Sequence, residues 1–230
     1  MSLLTRRRAM MGAFQKKGDP ISTLAAGSKV YVMESGVLTE FVYLGINKSG
    51  NAVLMRSFPY TNQIQFNTTA QTPEYSASNV DGWLINTAKP KFTALSRYFR
   101  SSSITYSTYN SSHVESITTI SRDIYIPSFY EMTGSGNEGG DNYLPALKTY
   151  KNTTNNNTAR AANNTAYWLR SEFSSSSYPN RVNTVEMSGK CVKTSSFSQS
   201  NATGPRVRPI LSISAETPMR LANDIIVVGG

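Results

Sequence analysis

One stretch constrains this chain more than any other. Residues 29–58 hold three apolar runs separated by turns. The first, 29–33, alternates around Val30 and Val32. The second, 39–46, carries Phe41, Val42, Tyr43 and Leu44, and the third spans 52–58. Glu34-Ser35-Gly36 and Asn47-Lys48-Ser49-Gly50-Asn51 lie between them. Such runs bounded by Gly and Asn turns predict an antiparallel meander. Composition supports a β and loop-rich chain. Ser, Thr and Asn supply 31, 23 and 19 of the 230 residues, and all three compete with a helical backbone for hydrogen bonds. The 13 Tyr, 9 Phe and 2 Trp supply enough burial to exclude wholesale disorder.

Helical signals are short. Ser78 or Asn79 can cap a helix in which Val80, Trp83 and Leu84 fall at i, i+3, i+4, and Pro90 stops it. Phe92, Leu95, Tyr98 and Phe99 recur at similar spacing in a second short helix. Ser128 and Glu131 form a capping box for a third. Residues 101–121 read as loop or weak strand, 134–141 as a glycine-rich loop and 151–164 as a low-complexity Asn/Thr stretch. Strands return at 167–170, in a hairpin of 181–187 with 191–194, and around Val207, Leu211 and Ile213. The apolar run 225–228 can add a strand to its own sheet or to a neighbour's.

Charge divides the chain. The formal net charge is +9, from 23 basic and 14 acidic residues. Arg6, Arg7, Arg8, Lys16 and Lys17 precede the first acid, Asp19, so an N-terminal arm carries +5 and the remainder +4. The arm is an electrostatic contact for an acidic partner or a solvated start. A body so balanced has no basic face, so nucleic acid is not expected as a partner. No apolar stretch reaches the ~20 residues that span a membrane as a helix, and no signal peptide is read. Three units are expected: an arm over 1–26, a domain over 27–215 and a tail over 216–230.

Catalytic constellations are sparse. Cys191 is the one cysteine and His113 the one histidine, which leaves no cysteine redox pair and no nucleophile elbow. His113 reads as an exposed loop residue. Glu138 and Asp141 are too few for a calcium site. No enzyme, metal or cofactor is expected.

Two late segments carry a resemblance: Tyr167-Trp168-Leu169-Arg170-Ser171 and Gly204-Pro205-Arg206-Val207-Arg208-Pro209. With the meander, Tyr75-Ser76-x-Ser78 before Trp83-Leu84, and Ile124-Tyr125-Ile126-Pro127-Ser128, they resemble an uncharacterised family of phage and gut-bacterial proteins over residues 27–215. That resemblance implies an α+β, C-type-lectin-like domain with twisted antiparallel sheets, two or three short helices and long polar loops, behind an extended N-terminal arm. The opening Leu4-Thr5-Arg6-Arg7-Arg8-x-Met10-Met11-Gly12 resembles phage virion proteins.

The function it implies is a non-enzymatic virion protein (head fibre, decoration or receptor-binding protein). Its partners would be other virion structural proteins and a host-surface or mucus glycan or protein. The alternative is a purely structural capsid or tail component. A homo-oligomer is expected, with a trimer by analogy to viral fibres. Arg6, Arg7, Arg8, Met10, Met11 and Phe14 would anchor the chain to the particle. Two polar loops, 173–183 and 193–201, would recognise a ligand through Phe173, Tyr178, Asn180, Arg181, Asn183, Lys193, Phe197, Gln199 and Asn201. Trp168 is expected in the core, and Trp83 as a structural residue of the first short helix. Arg170, Arg206 and Arg208 are expected as clamps on loop carbonyls and carboxylates.

Overall fold

The meander forms where alternation places it. In the computed structural model, which describes residues 18–67, 74–134, 160–177, 181–196 and 204–229 (side chains of 192–196 excepted), β1 (Asp19–Pro20) precedes β2 (Lys29–Glu34), β3 (Val37–Ile46) and β4 (Asn51–Arg56). Each Val of β2 is fully buried while its neighbours are not, so one face meets the core. Gly45, at φ 118°, sits where the β3–β4 register shifts, a bulge that glycine accommodates without a Cβ clash.

Residues 101–122, read as loop or weak strand, are largely strand. They form a hairpin of β5 (Ser102–Tyr109) and β6 (Glu115–Arg122), paired over eight positions. Thr, Ile and Tyr fit a pleated surface, with Ser103, Ser116 and Ser121 exposed and Ser102 and Ser107 buried. β7 (Ile124–Tyr125), β8 (Tyr167–Phe173), β9 (Arg181–Val185), β10 (Cys191–Ser196), β11 (Ile210–Ser214), β12 (Pro218–Ala222) and β13 (Ile225–Val228) follow.

The large sheet has eight strands in the order β1-β12-β13-β2-β3-β4-β11-β7, beside a three-stranded sheet β10-β9-β8 and the β5-β6 hairpin. It is mixed, because β13 runs parallel to β2, with Val227 opposite Tyr31. Strand makes up 43% and helix 17%, which overturns the expected α+β, C-type-lectin-like fold. The helices stay short for local reasons. α1 (Asn79–Trp83) contains Gly82 and passes into a π-helical turn, Leu84–Ala88, and a 3-10 turn with Pro90. α2 (Phe129–Thr133) ends at Gly134 in the left-handed conformation. The 92–99 segment is a 3-10 turn at Thr93–Leu95 rather than a helix. The sheet also takes in residues assigned to the arm and the tail: β1 pairs with β12, and β12 with β13.

The core joins these layers through rings. Phe41 of β3 meets Phe92 edge-on at 6.0 Å, and Phe92 meets Phe99 at 6.5 Å. Trp168 is fully buried against Phe66 at 5.5 Å, and its Nε1 donates to Ile64 O at 2.8 Å.

Candidate recognition cleft

The segment 204–209 is stitched on both sides. Arg206 N donates to Ala166 O and Arg206 O accepts from Trp168 N, each at 2.9 Å. On the other side Arg56 N donates to Pro209 O at 3.0 Å and Tyr60 N to Val207 O at 2.8 Å. Arg208 is buried and tightens that second seam. Its guanidinium donates to Arg56 O at 2.9 Å, Ser57 O at 3.0 Å and Tyr167 Oη at 3.1 Å. Residues 57–60 therefore leave β4 along a fixed path although they are not strand.

That path forms one wall of a cleft of about 330 Å³. Phe58 lies on it, 49% exposed. Tyr60 is buried, with the Arg56 guanidinium at 4.5 Å and the Lys91 ammonium at 4.6 Å from its ring centre and the Trp83 ring edge-on at 5.0 Å. Burial first, and the Glu34 carboxylate second, push the Tyr60 phenol far above its ordinary range, so it stays neutral. Thr39 and Glu40 of β3 close one side. Glu40 accepts from Lys29 Nζ at 3.3 Å and Tyr31 Oη at 3.4 Å.

The facing wall is Ala162, Asn163 and Thr165. Arg160, fully buried, moors it by donating to Gly189 O at 2.7 Å. Three successive residues there are left-handed without being glycine: Ala162 at φ 44°, Asn163 at 62° and Asn164 at 54°. Asn tolerates that region, whereas Ala costs about 1–2 kcal/mol in it. Backbone held this way gathers at ligand-contacting sites. Arg206 completes the lining. It is half-buried, and its guanidinium has no hydrogen bond or ion pair among the described residues.

The expected clamps thus divide. Arg170 is a buried clamp, bidentate to Glu131 at 2.8 Å for both contacts and donating to Ile126 O and Thr105 O at 2.7 Å. Arg208 clamps carbonyls, and Arg206 faces the cleft. Trp83 is half-buried in the Tyr60 stack and packs against the core.

Of the recognition residues expected from the two loops, the described ones, Phe173, Arg181 and Asn183, do not line this cleft. Phe173 and Arg181 sit opposite each other on β8 and β9, with Phe173 edge-on to Tyr109 at 6.3 Å. Asn183 is buried and donates to Glu172 O at 3.4 Å. Tyr178, Asn180, Phe197, Gln199, Asn201 and the Lys193 side chain lie outside the described residues, as do Arg6, Arg7, Arg8, Met10, Met11, Phe14, Glu138 and Asp141. His113 is half-buried, its Nδ1 2.8 Å from Ser174 Oγ. Among the described residues no three His, Cys, Asp or Glu gather as metal ligands.

Sequence reasoning missed Phe58, Glu40, Asn163 and Thr165. The Phe58-Pro59-Tyr60-Thr61 run was the available signal, since an aromatic-proline run after a strand marks an irregular wall.

Residues 49–215 match the profile of a domain of unknown function, DUF6273, and the chain belongs to that family. No curated protein and no solved structure matches it.

Proposed function

We propose that this chain is a non-enzymatic recognition protein that holds a polyhydroxylated ligand, a glycan, in the Phe58–Arg206 cleft. One observation carries the reading: an exposed ring lies in a concave site beside hydroxyls, an amide, a carboxylate and an uncommitted guanidinium. Sugars present apolar C–H faces to rings and hydroxyls to such polar groups, and binding sites of this kind combine apolar walls with a few placed polar groups. Among the described residues of the lining, Glu40 supplies the carboxylate. A place on a phage virion, attached through the +5 arm, is part of the proposal and rests on the N-terminal resemblance.

A glycan array probed with the full-length chain tests it. Binding should weaken roughly tenfold or more in Phe58→Ala and Arg206→Ala, with unfolding midpoints close to wild type. Glycan binding untouched by both substitutions overturns the cleft assignment, and no binding to any glycan overturns the ligand class. A purely structural role, joining neighbouring subunits, is favoured by the exposed apolar pair Val37 and Leu38 at the β2–β3 turn. That role predicts particle instability without loss of adsorption when both are changed to Ser.

A further inference from the structure

A second cavity, of about 190 Å³, lies where Glu74, the β5–β6 hairpin and β8 meet. It is lined by two carboxylates, Glu74 and Glu172, with Thr108, Thr118 and Tyr109. Glu172 is 3% exposed, and its Oε2 accepts from Tyr109 N at 3.2 Å, while its Oε1 is buried with no partner. Glu74 is held in place, with Oε1 accepting from Tyr106 Oη at 2.9 Å and Ser76 Oγ at 2.7 Å. Among the described residues neither carboxylate forms an ion pair.

A buried carboxylate oxygen without a partner is costly, and a second carboxylate beside it adds repulsion. Both costs fall when a cation enters. A calcium ion asks for six to eight oxygens, and this cavity offers two carboxylates and two threonine hydroxyls, one of which already donates to Ser116 O. An alkylammonium has three donors and no acceptor, which matches two carboxylate oxygens and one hydroxyl.

We propose that this cavity binds a primary ammonium group, held between Glu172 Oε1 and the Glu74 carboxylate. The site is separate from the Phe58–Arg206 cleft and does not depend on it. Burial, opposed by the Tyr109 N–H and reinforced by Glu74, pushes the Glu172 carboxyl up to about 7. The other titratable groups on the elements packed there are Tyr106, which donates to Glu74, His113, tied to Ser174, Glu115 opposite Tyr109 and Arg181 opposite Phe173. An alkylamine keeps its proton to about pH 10. The ammonium and the Glu172 carboxylate are therefore charged together between those limits, and capture weakens below neutrality.

Calorimetry on the full-length chain with n-propylammonium chloride, tetramethylammonium chloride and calcium chloride tests this. Propylammonium should bind roughly tenfold or more tightly at about pH 8 than at about pH 5.5. Glu172→Gln should lose that binding, and tetramethylammonium, which has no N–H, should not bind. In wild-type protein the Glu172 carboxyl carbon resonance should move on adding propylammonium, a readout that needs no variant to fold. An unmoved resonance, an affinity equal at the two pH values or retained in Glu172→Gln, or calcium bound in preference to the amine overturns the proposal.

Discussion

At the residue scale, three buried arginines organise the molecule, and Arg170 shows how. Its partner Glu131 is buried and also accepts from Ser128 N at 2.8 Å, so one carboxylate joins β8 to the start of α2. Removing one half of such a pair strands the other charge. Arg170→Met should therefore cost about 3–5 kcal/mol. Urea unfolding reads the loss, and adding Glu131→Gln should restore part of it.

Glu172 gives a pH signature at the same scale. Its carboxyl is raised from 4.5 to about 7 in the folded chain. Between those values the folded state keeps a proton that the unfolded state releases, so stability falls as pH rises through the window. Below 4.5 both states are protonated and nothing is lost, and above about 7 the loss is complete. Glu172→Gln removes the effect. Measured by denaturant midpoints, the variant should gain on wild type between pH 5 and 8 by on the order of 2 kcal/mol.

At the element scale, the meander and the α2 capping box were legible because each is a local pattern. Ser128 Oγ accepts from Glu131 N at 3.0 Å, as the four-residue spacing predicts. The β5–β6 hairpin was not legible, because Ser and Thr serve loops and pleated strands alike and cross-strand pairing settles the choice. The cleft was half legible. Arg206 stands in a visible motif, but the 162–165 wall comes from the end of an Asn/Thr stretch, and the contact of Arg160 with Gly189 O beside it joins positions far apart in the sequence. Gly229 seals the end of β13. It has φ +74°, its N donates to Pro218 O at 2.9 Å, and a Cβ there would collide with Leu95 Cδ2. Gly229→Ala should lower the melting temperature through both strain and overpacking, by about 1–3 kcal/mol in stability.

At the scale of the whole molecule, the +5 arm and the body separate in charge and in expected task. Under the proposed virion role, deleting residues 1–17 should abolish incorporation into particles. Retained incorporation, read by blotting purified particles, would sink the anchoring role and leave the cleft untouched.

The parallel ladder between β13 and β2 has a further consequence for how the chain is made. β2 leaves the ribosome before β3 to β13, yet one of its two edges stays open until β13 has been synthesised. Contacts so distant in sequence close slowly, and an open apolar edge in the meantime invites pairing with another nascent chain. Yield of soluble protein in cells should therefore depend on chaperone supply and growth temperature more than its finished stability would suggest.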